Sequence, residues 1–72
     1  MIKWKKEPRE GWHTARWSGA CDWFAEITPG SWKVEGSCEG YFAYFGKRFN
    51  RRQNPDELKQ IVETIVTKHC LN

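Results

Sequence analysis

The clearest hydrophobic pattern in this chain occupies its last third. Apolar or partly apolar residues recur there at steps of three and four: Leu58, Ile61, Val62, Ile65, Val66 and His69. Polar residues fill the positions between them, as expected for a helix with one apolar face. The spacing predicts a helix from about Pro55 to about Cys70. Because a single apolar stripe cannot bury itself, the helix requires a second layer to pack against.

The start of this helix is also marked in the sequence. Asn54 is a favourable N-cap residue, and Pro55 suits the first helical position because its missing N–H is not needed there. Glu57 then occupies the third position, which approximates a capping box. These signals predict a sharp helix start at Pro55.

Upstream of the helix, the hydrophobic period changes from 3.6 to two. In Asp22–Thr28, the apolar residues Trp23, Ala25 and Ile27 alternate with the residues of the other face. The sequence Thr28-Pro29-Gly30-Ser31 is typical of a turn. If the turn pairs Ile27 with Trp32, Ala25 meets Val34 on the same face. This register predicts a β-hairpin.

Three weaker strand candidates flank the hairpin. Residues Trp12–Trp17 and Tyr41–Phe49 read as strands, and Ile2–Lys6 is a candidate edge strand that Pro8 would end. Seventy-two residues suffice for one domain, 1–72, with its strands within residues 2–49. We therefore predict an α+β fold, a three- to four-stranded antiparallel sheet with one C-terminal helix packed on one face.

The aromatic content exceeds what one helix readily covers. The chain contains five Trp, four Phe and two Tyr. A helix on one sheet face leaves the other face open, so Phe24, Phe42 and Tyr44, or the alternate set Tyr41 and Phe45, are candidates for exposure. Exposed sheet aromatics serve as base-stacking platforms or as a protein interface, including self-association. The alternative is that they build the core under partial cover from the N-terminal segment.

Positive charge is concentrated just before the helix. The net charge is only +3, but Lys47, Arg48, Arg51 and Arg52 bring four cations into six residues. Such a cluster beside aromatics attracts a phosphate backbone, and the helix N-terminus adds free N–H donors. Arg16 and Lys33 would contribute if the sheet faces the ligand. The alternative is a solvated connection that keeps the domain soluble.

A second basic group lies around Trp4 and consists of Lys3, Lys5, Lys6 and Arg9. If the N-terminal strand lies beside Tyr41–Phe49, the two basic groups merge into one surface. The alternative is an edge strand that Lys residues protect against association.

Other functions find little support in the sequence. Three widely spaced cysteines, Cys21, Cys38 and Cys70, indicate free thiols in a reducing cytoplasm, although a Cys21–Cys38 bridge stays open. Zinc-site spacings and catalytic signatures do not occur, so we expect no metal, no cofactor, no small-molecule substrate and no enzymatic activity. No apolar stretch approaches the ~18 residues of a membrane helix. We expect a cytoplasmic protein without membrane contact.

Two resemblances follow from these motifs. The order of elements is similar to that of AP2-type and integrase arm-binding domains, whose three-stranded sheets contact DNA. The chain also resembles short phage- or prophage-encoded accessory proteins of unknown function, at Trp4–Lys5, Gly11–Trp12, Gly30–Val34 and Asp56–Leu58. The phage resemblance implies no activity, and it is the cluster of basic residues beside aromatics that leads us to predict a small non-enzymatic module that binds DNA or RNA through the basic loop next to an aromatic sheet. The alternative is a protein-interaction or homodimerising accessory protein that uses exposed sheet aromatics.

Overall fold

The computed structural model describes residues 2–18, 22–38 and 41–68, with side chains for all of these except 38, 41 and 42. Five strands precede one helix: β1 (Lys5–Lys6), β2 (His13–Trp17), β3 (Asp22–Thr28), β4 (Ser31–Cys38), β5 (Tyr41–Arg48) and α1 (Pro55–Lys68). The strands form one antiparallel sheet in sequence order. The α+β prediction is therefore confirmed.

The predicted count of three to four strands was too low, because the short N-terminal segment also joins the sheet. Lys5 and Lys6 pair with Thr14 and His13. Beyond this pairing, the N–H of Glu7 donates to the carbonyl oxygen of Trp12 over 3.0 Å and closes the β1–β2 connection. The candidate edge strand Ile2–Lys6 is therefore present, but only its last two residues pair with β2.

The β3–β4 hairpin has the predicted register. Ile27 pairs with Trp32, and Ala25 pairs with Val34. The hydroxyl groups of Thr28 and Ser31 lie 2.9 Å apart across the two-residue turn. The alternation of β3 therefore decides which side chains reach the helix.

The core lies between the sheet and α1. Its buried side chains are Ala15, Trp23, Ala25, Ile27, Val34, Leu58, Val62 and Val66. The helix contributes residues four positions apart, which follow a single seam along its axis. Ile61 belongs to the apolar stripe of the sequence but lies at its margin, with 38% of its surface exposed.

Gly36 of β4 makes room for the largest core side chain. A Cβ atom at this position would overlap the Trp23 ring. The Trp23 ring is almost fully buried, and its indole N–H has no acceptor among the described residues. Apolar burial of the ring must therefore outweigh the cost of that missing hydrogen bond.

The helix begins as the sequence predicts. The Asn54 side-chain oxygen accepts a hydrogen bond from the N–H of Asp56 over 2.8 Å, which makes Asn54 the N-cap. Within the described residues the helix ends at Lys68. The predicted final turn, with His69 and Cys70, lies outside the described residues, as does Cys21 of the conceivable Cys21–Cys38 bridge.

The turn between β3 and β4 holds the connection from β5 to α1. The Phe49 N–H donates to the carbonyl oxygen of Gly30 over 2.8 Å, and the Gln53 N–H donates to that of Pro29. Gly11, with a φ of 77°, packs against Pro29 from the β1–β2 side, where a Cβ would overlap the proline ring. The segment that carries Arg51 and Arg52 is therefore fixed at one end of the sheet.

Candidate nucleic-acid interface

The sheet face that α1 leaves uncovered, called the open face below, carries the mixed aromatic and charged residues. Strand alternation places Phe24 and Glu26 on the side of β3 opposite the buried Trp23, Ala25 and Ile27. The register then aligns two rows across the strands. One row contains Arg16, Phe24, Glu35 and Tyr44, and the next contains Lys5, Thr14, Glu26, Lys33 and Gly46.

Phe24 lies at the centre of the open face and holds two cations. The Arg16 guanidinium carbon lies 4.7 Å from the ring centre, and the Lys33 ammonium nitrogen lies 5.6 Å from it. Lys33 also approaches the carboxylate of Glu26 at 3.9 Å. Both cations that the sequence analysis assigned to the sheet therefore share one face and one aromatic ring.

Tyr44 is the most exposed large aromatic side chain among those described, with 58% of its surface accessible. Its ring leans along β5 over Gly46, where an added Cβ would lie 2.8 Å from the Tyr44 hydroxyl oxygen. Because residue 46 is a glycine, one side of the Tyr44 ring lies close to the sheet, and the other side of the ring is exposed to solvent. A base or a protein side chain can stack there.

The basic loop does not form a single patch, because consecutive strand residues point to opposite faces. Lys47 pairs with Trp32 on the helix side, and its ammonium nitrogen lies 5.2 Å from the centre of the Phe49 ring. Arg48 pairs with Ser31 on the open face and is exposed. Arg51 and Arg52 are also exposed, in the connection that follows.

The two basic groups do not merge. β1 and β5 lie at opposite edges of the sheet, so the N-terminal group is separated from Arg48 by three strands. Lys5 and Lys6 are exposed on the two-residue edge strand β1. This arrangement agrees with the alternative interpretation, an edge protected by lysine.

The aromatic candidates are divided by the same alternation. Phe24 and Tyr44 lie on the open face, whereas Phe45 pairs with buried Val34 on the helix side and is half-buried. The Phe42 backbone pairs with Ser37, and the Tyr41 backbone pairs with Cys38. The side chains of these two aromatic residues lie outside the described ones.

The open face also carries acids that the sequence analysis did not include in the candidate site. Glu26 lies on the central strand β3 and Glu35 on its neighbour β4, and Glu7 accepts a hydrogen bond from the Thr14 hydroxyl over 2.7 Å. Strand alternation predicts this placement, because each of the three glutamates lies two positions along the chain from another residue of the open face. The centre of the face is therefore nearly charge-balanced, and the excess positive charge lies towards Arg48, Arg51 and Arg52.

His13 titrates on the other side of the sheet, near the helix N-terminus. Burial lowers its pKa below the usual value, and the charges of Lys59 and Lys6 lower it further, while Asp56 opposes the shift. Among the described residues, no group of three or more His, Cys, Asp or Glu side chains is placed to hold a metal ion. Within the same residues, no helix has the length and apolar character to span a membrane.

The fold and the open face define a small α+β domain with an uncovered, aromatic and partly basic sheet surface. No protein-family model, no curated protein and no solved structure matches the chain. The functional argument therefore depends on the geometry of the open face.

Proposed function

We propose that this protein is a small non-enzymatic module that binds single-stranded nucleic acid across the open face. The observation that carries the proposal is the ring of Phe24, which holds the cations of Arg16 and Lys33. Phe24 also lies in the same cross-strand row as exposed Tyr44. Sheet surfaces that bind single strands combine such aromatic platforms with basic side chains along the backbone path.

The phosphates would follow the end of the sheet where the excess positive charge lies. Arg48 projects from the open face, and Arg51 and Arg52 follow in a connection held to the β3–β4 turn by two backbone hydrogen bonds. Because this connection is fixed, its cations are pre-positioned and lose less freedom on binding. Lys33 extends the same path towards Phe24.

The bases would lie over the centre of the face. Tyr44 offers an exposed ring, and each base stacked on an aromatic side chain contributes roughly 1–3 kcal/mol. Because Glu26 and Glu35 offset the cations at the centre, the centre attracts phosphates less than the basic end does, which favours a backbone path along that end. The charge pattern therefore separates the region that contacts bases from the region that contacts phosphates.

The test compares two neighbouring cations of β5 that point to opposite faces. Fluorescence anisotropy with labelled single-stranded DNA and RNA, at ~50 mM salt and upwards, measures affinity and its salt dependence. We expect Arg48→Gln to weaken binding and to lower the slope of log K against log salt by about 0.7. The matched control, Lys47→Gln, should leave both unchanged because Lys47 lies on the helix side.

Two results would overturn the proposal. The first is no binding of either oligonucleotide at low salt. The second is an equal effect of the two substitutions, which would assign binding to the overall charge of the loop and not to the open face. If charge reversal of Arg51 and Arg52 leaves the affinity unchanged, the connection between β5 and α1 is not part of the binding site.

A protein-interaction role through the same face is the second candidate. The near balance of acids and cations around Phe24, together with exposed Tyr44, favours it. Such an accessory role, in a phage or in its host cytoplasm, predicts that a pull-down with the wild-type protein recovers a partner that the Tyr44→Ser variant does not. Recovery of nucleic acid alone would exclude it.

A further inference from the structure

The two edges of the sheet differ in how far they are protected from pairing with another strand. β1 is two residues long, consists of Lys5 and Lys6, and is followed by Pro8. Short strands, lysine and proline are the usual protections of an edge. β5 is eight residues long, contains no proline, and carries charge only at its last two positions, Lys47 and Arg48. Among the described residues, no strand lies on the outer side of β5.

The hydrogen-bonding pattern identifies which groups of β5 point outwards. In an antiparallel pair, alternate residues bond to the partner strand. The Phe49 N–H bonds to Gly30, so the odd-numbered residues of β5 bond to β4. The N–H and C=O groups of Tyr44, Gly46 and Arg48 therefore point to the outer edge, in position to bond another strand.

We propose that this edge pairs antiparallel with β5 of a second copy of the chain, forming one continuous ten-stranded sheet. The charge distribution of β5 favours pairing with β5 of a second copy. An antiparallel two-fold arrangement places Lys47 of each copy opposite the uncharged first half of the other strand, and Arg48 opposite that half or just beyond its end. A parallel arrangement would put like charges side by side. A second copy also arrives as an ordered strand, whereas a free peptide must first lose conformational entropy.

The sheet faces restrict the register of the dimer. Residues opposite each other across an antiparallel pair share a face, so even-numbered residues of β5 must meet even-numbered ones. This condition places the two-fold axis at a residue of β5, and the axis positions that pair the most residues of the eight-residue strand are Tyr44 and Phe45. In both registers the two helices lie on the same side of the sheet, and the two open faces join. The inference thus extends the proposed function and rests on it in this respect, because the joined face doubles the binding surface.

The first test uses the wild-type protein. Strand pairing alone buries less than a standard interface, so we expect a weak dimer that forms over about 0.01–1 mM in sedimentation experiments. Amide hydrogen exchange, measured by NMR, then shows whether the outward N–H groups of β5 are hydrogen-bonded. The amides of Ala43, Phe45 and Lys47 should be protected at all concentrations, whereas those of Tyr44, Gly46 and Arg48 should become protected only as the dimer forms.

A pair of substitutions at Gly46 tests the edge directly. Gly46→Pro removes an outward N–H that β4 does not use, and should abolish the dimer while the domain stays folded by circular dichroism. Gly46→Ala is the matched control, since it adds the same Cβ beside Tyr44 but keeps the N–H. The control should still dimerise.

Several outcomes would overturn the inference: a monomer throughout the concentration range, a dimer in which the even-numbered amides stay unprotected, or an unchanged dimer in the folded proline variant. If the proline variant does not fold, amide exchange of the wild-type protein alone tests whether β5 pairs with a second copy. Failure here is distinguishable from failure of the proposed function. A strict monomer that binds oligonucleotides contradicts only the dimer, and a dimer that binds none contradicts only the nucleic-acid proposal.

Discussion

The Arg16 guanidinium carbon lies 4.7 Å from the centre of the Phe24 ring, on the open face of the sheet. Arg16 and Phe24 are direct cross-strand partners in β2 and β3. Lys33 reaches the same ring from β4. A single aromatic residue therefore positions cations from both neighbouring strands, and the candidate interface depends on this arrangement.

Removing the Phe24 ring should weaken binding more than it weakens the fold. Phe24→Leu keeps an apolar side chain but eliminates two cation–π interactions, each worth about 0.5–1 kcal/mol at exposed sites. Arg16 and Lys33 must then be ordered on binding, at about 0.5–1.5 kcal/mol for each side chain, so oligonucleotide affinity should fall roughly two- to twelvefold for each cation that the ring no longer positions. Phe24→Tyr keeps the ring and should bind normally. Anisotropy titrations measure both variants, and wild-type affinity in the leucine variant would contradict the role of the ring.

Tyr44 should contribute to binding through its ring and not through its hydroxyl group. Tyr44→Phe should retain affinity, whereas Tyr44→Val should lose the roughly 1–3 kcal/mol of one stacked base, about 5- to 150-fold in the dissociation constant. Because the side chain is mostly exposed, the melting temperature of either variant should change little. Equal affinities for the two variants would exclude stacking at this position.

Gly36 should be among the least replaceable positions of the sheet. Gly36→Ala places a Cβ into the Trp23 ring, which cannot move because it is buried. Overpacking of this kind costs about 1–3 kcal/mol in the free energy of unfolding, which urea denaturation measures. The comparison variant is Gly30→Ala, since nothing lies within 4 Å of the added atom. Equal stabilities would show that the core accommodates the extra methyl group.

Mild acidification should destabilise the protein partly through His13. Burial lowers the pKa of His13, and Lys59 and Lys6 lower it further, so the unfolded chain takes up the proton first as pH falls. The contribution of neutral His13 to the free energy of unfolding is therefore fully present above the ordinary histidine pKa of about 6.5. It is lost as pH falls through the lowered pKa of His13 in the folded protein.

The His13→Gln variant isolates this contribution. The fall in Tm between pH of about 7.5 and about 5.5 should be smaller in the variant than in the wild-type protein, because the other titrating groups are common to both. Identical Tm profiles would contradict the prediction. A larger fall in the variant would indicate that protonated His13 stabilises the fold.

The parts of the fold that depend on local signals were predictable. The helix start at Pro55 follows from its cap, and the β3–β4 hairpin follows from a two-residue turn that keeps Ala25 opposite Val34. The N-terminal strand was predicted only as a candidate, Ile2–Lys6, and the last two of these residues, Lys5 and Lys6, form β1. Its pairing with β2 depends on the β1–β2 connection, and this pairing leaves no periodic pattern in the sequence.

The sequence named residues of the candidate site, but it did not show which of them share a sheet face. Arg16 and Lys33 were expected to contribute if the sheet faced the ligand, and both lie on the open face. Lys47 and Arg48 were expected to act together, yet the pleat of β5 sends them to opposite faces. Charge density along a sequence does not report the direction of side chains once the segment is a strand.

Short-range periodicity, capping and turn chemistry were enough to predict the fold class, the helix, the hairpin register and the set of basic and aromatic candidates. The three-dimensional arrangement was needed to place β1 and β5 at opposite edges, to bring Arg16 and Lys33 to the Phe24 ring, and to divide the basic loop between two faces. These relationships arise from pairing between distant segments and from the packing of one face against α1, and no local pattern encodes them.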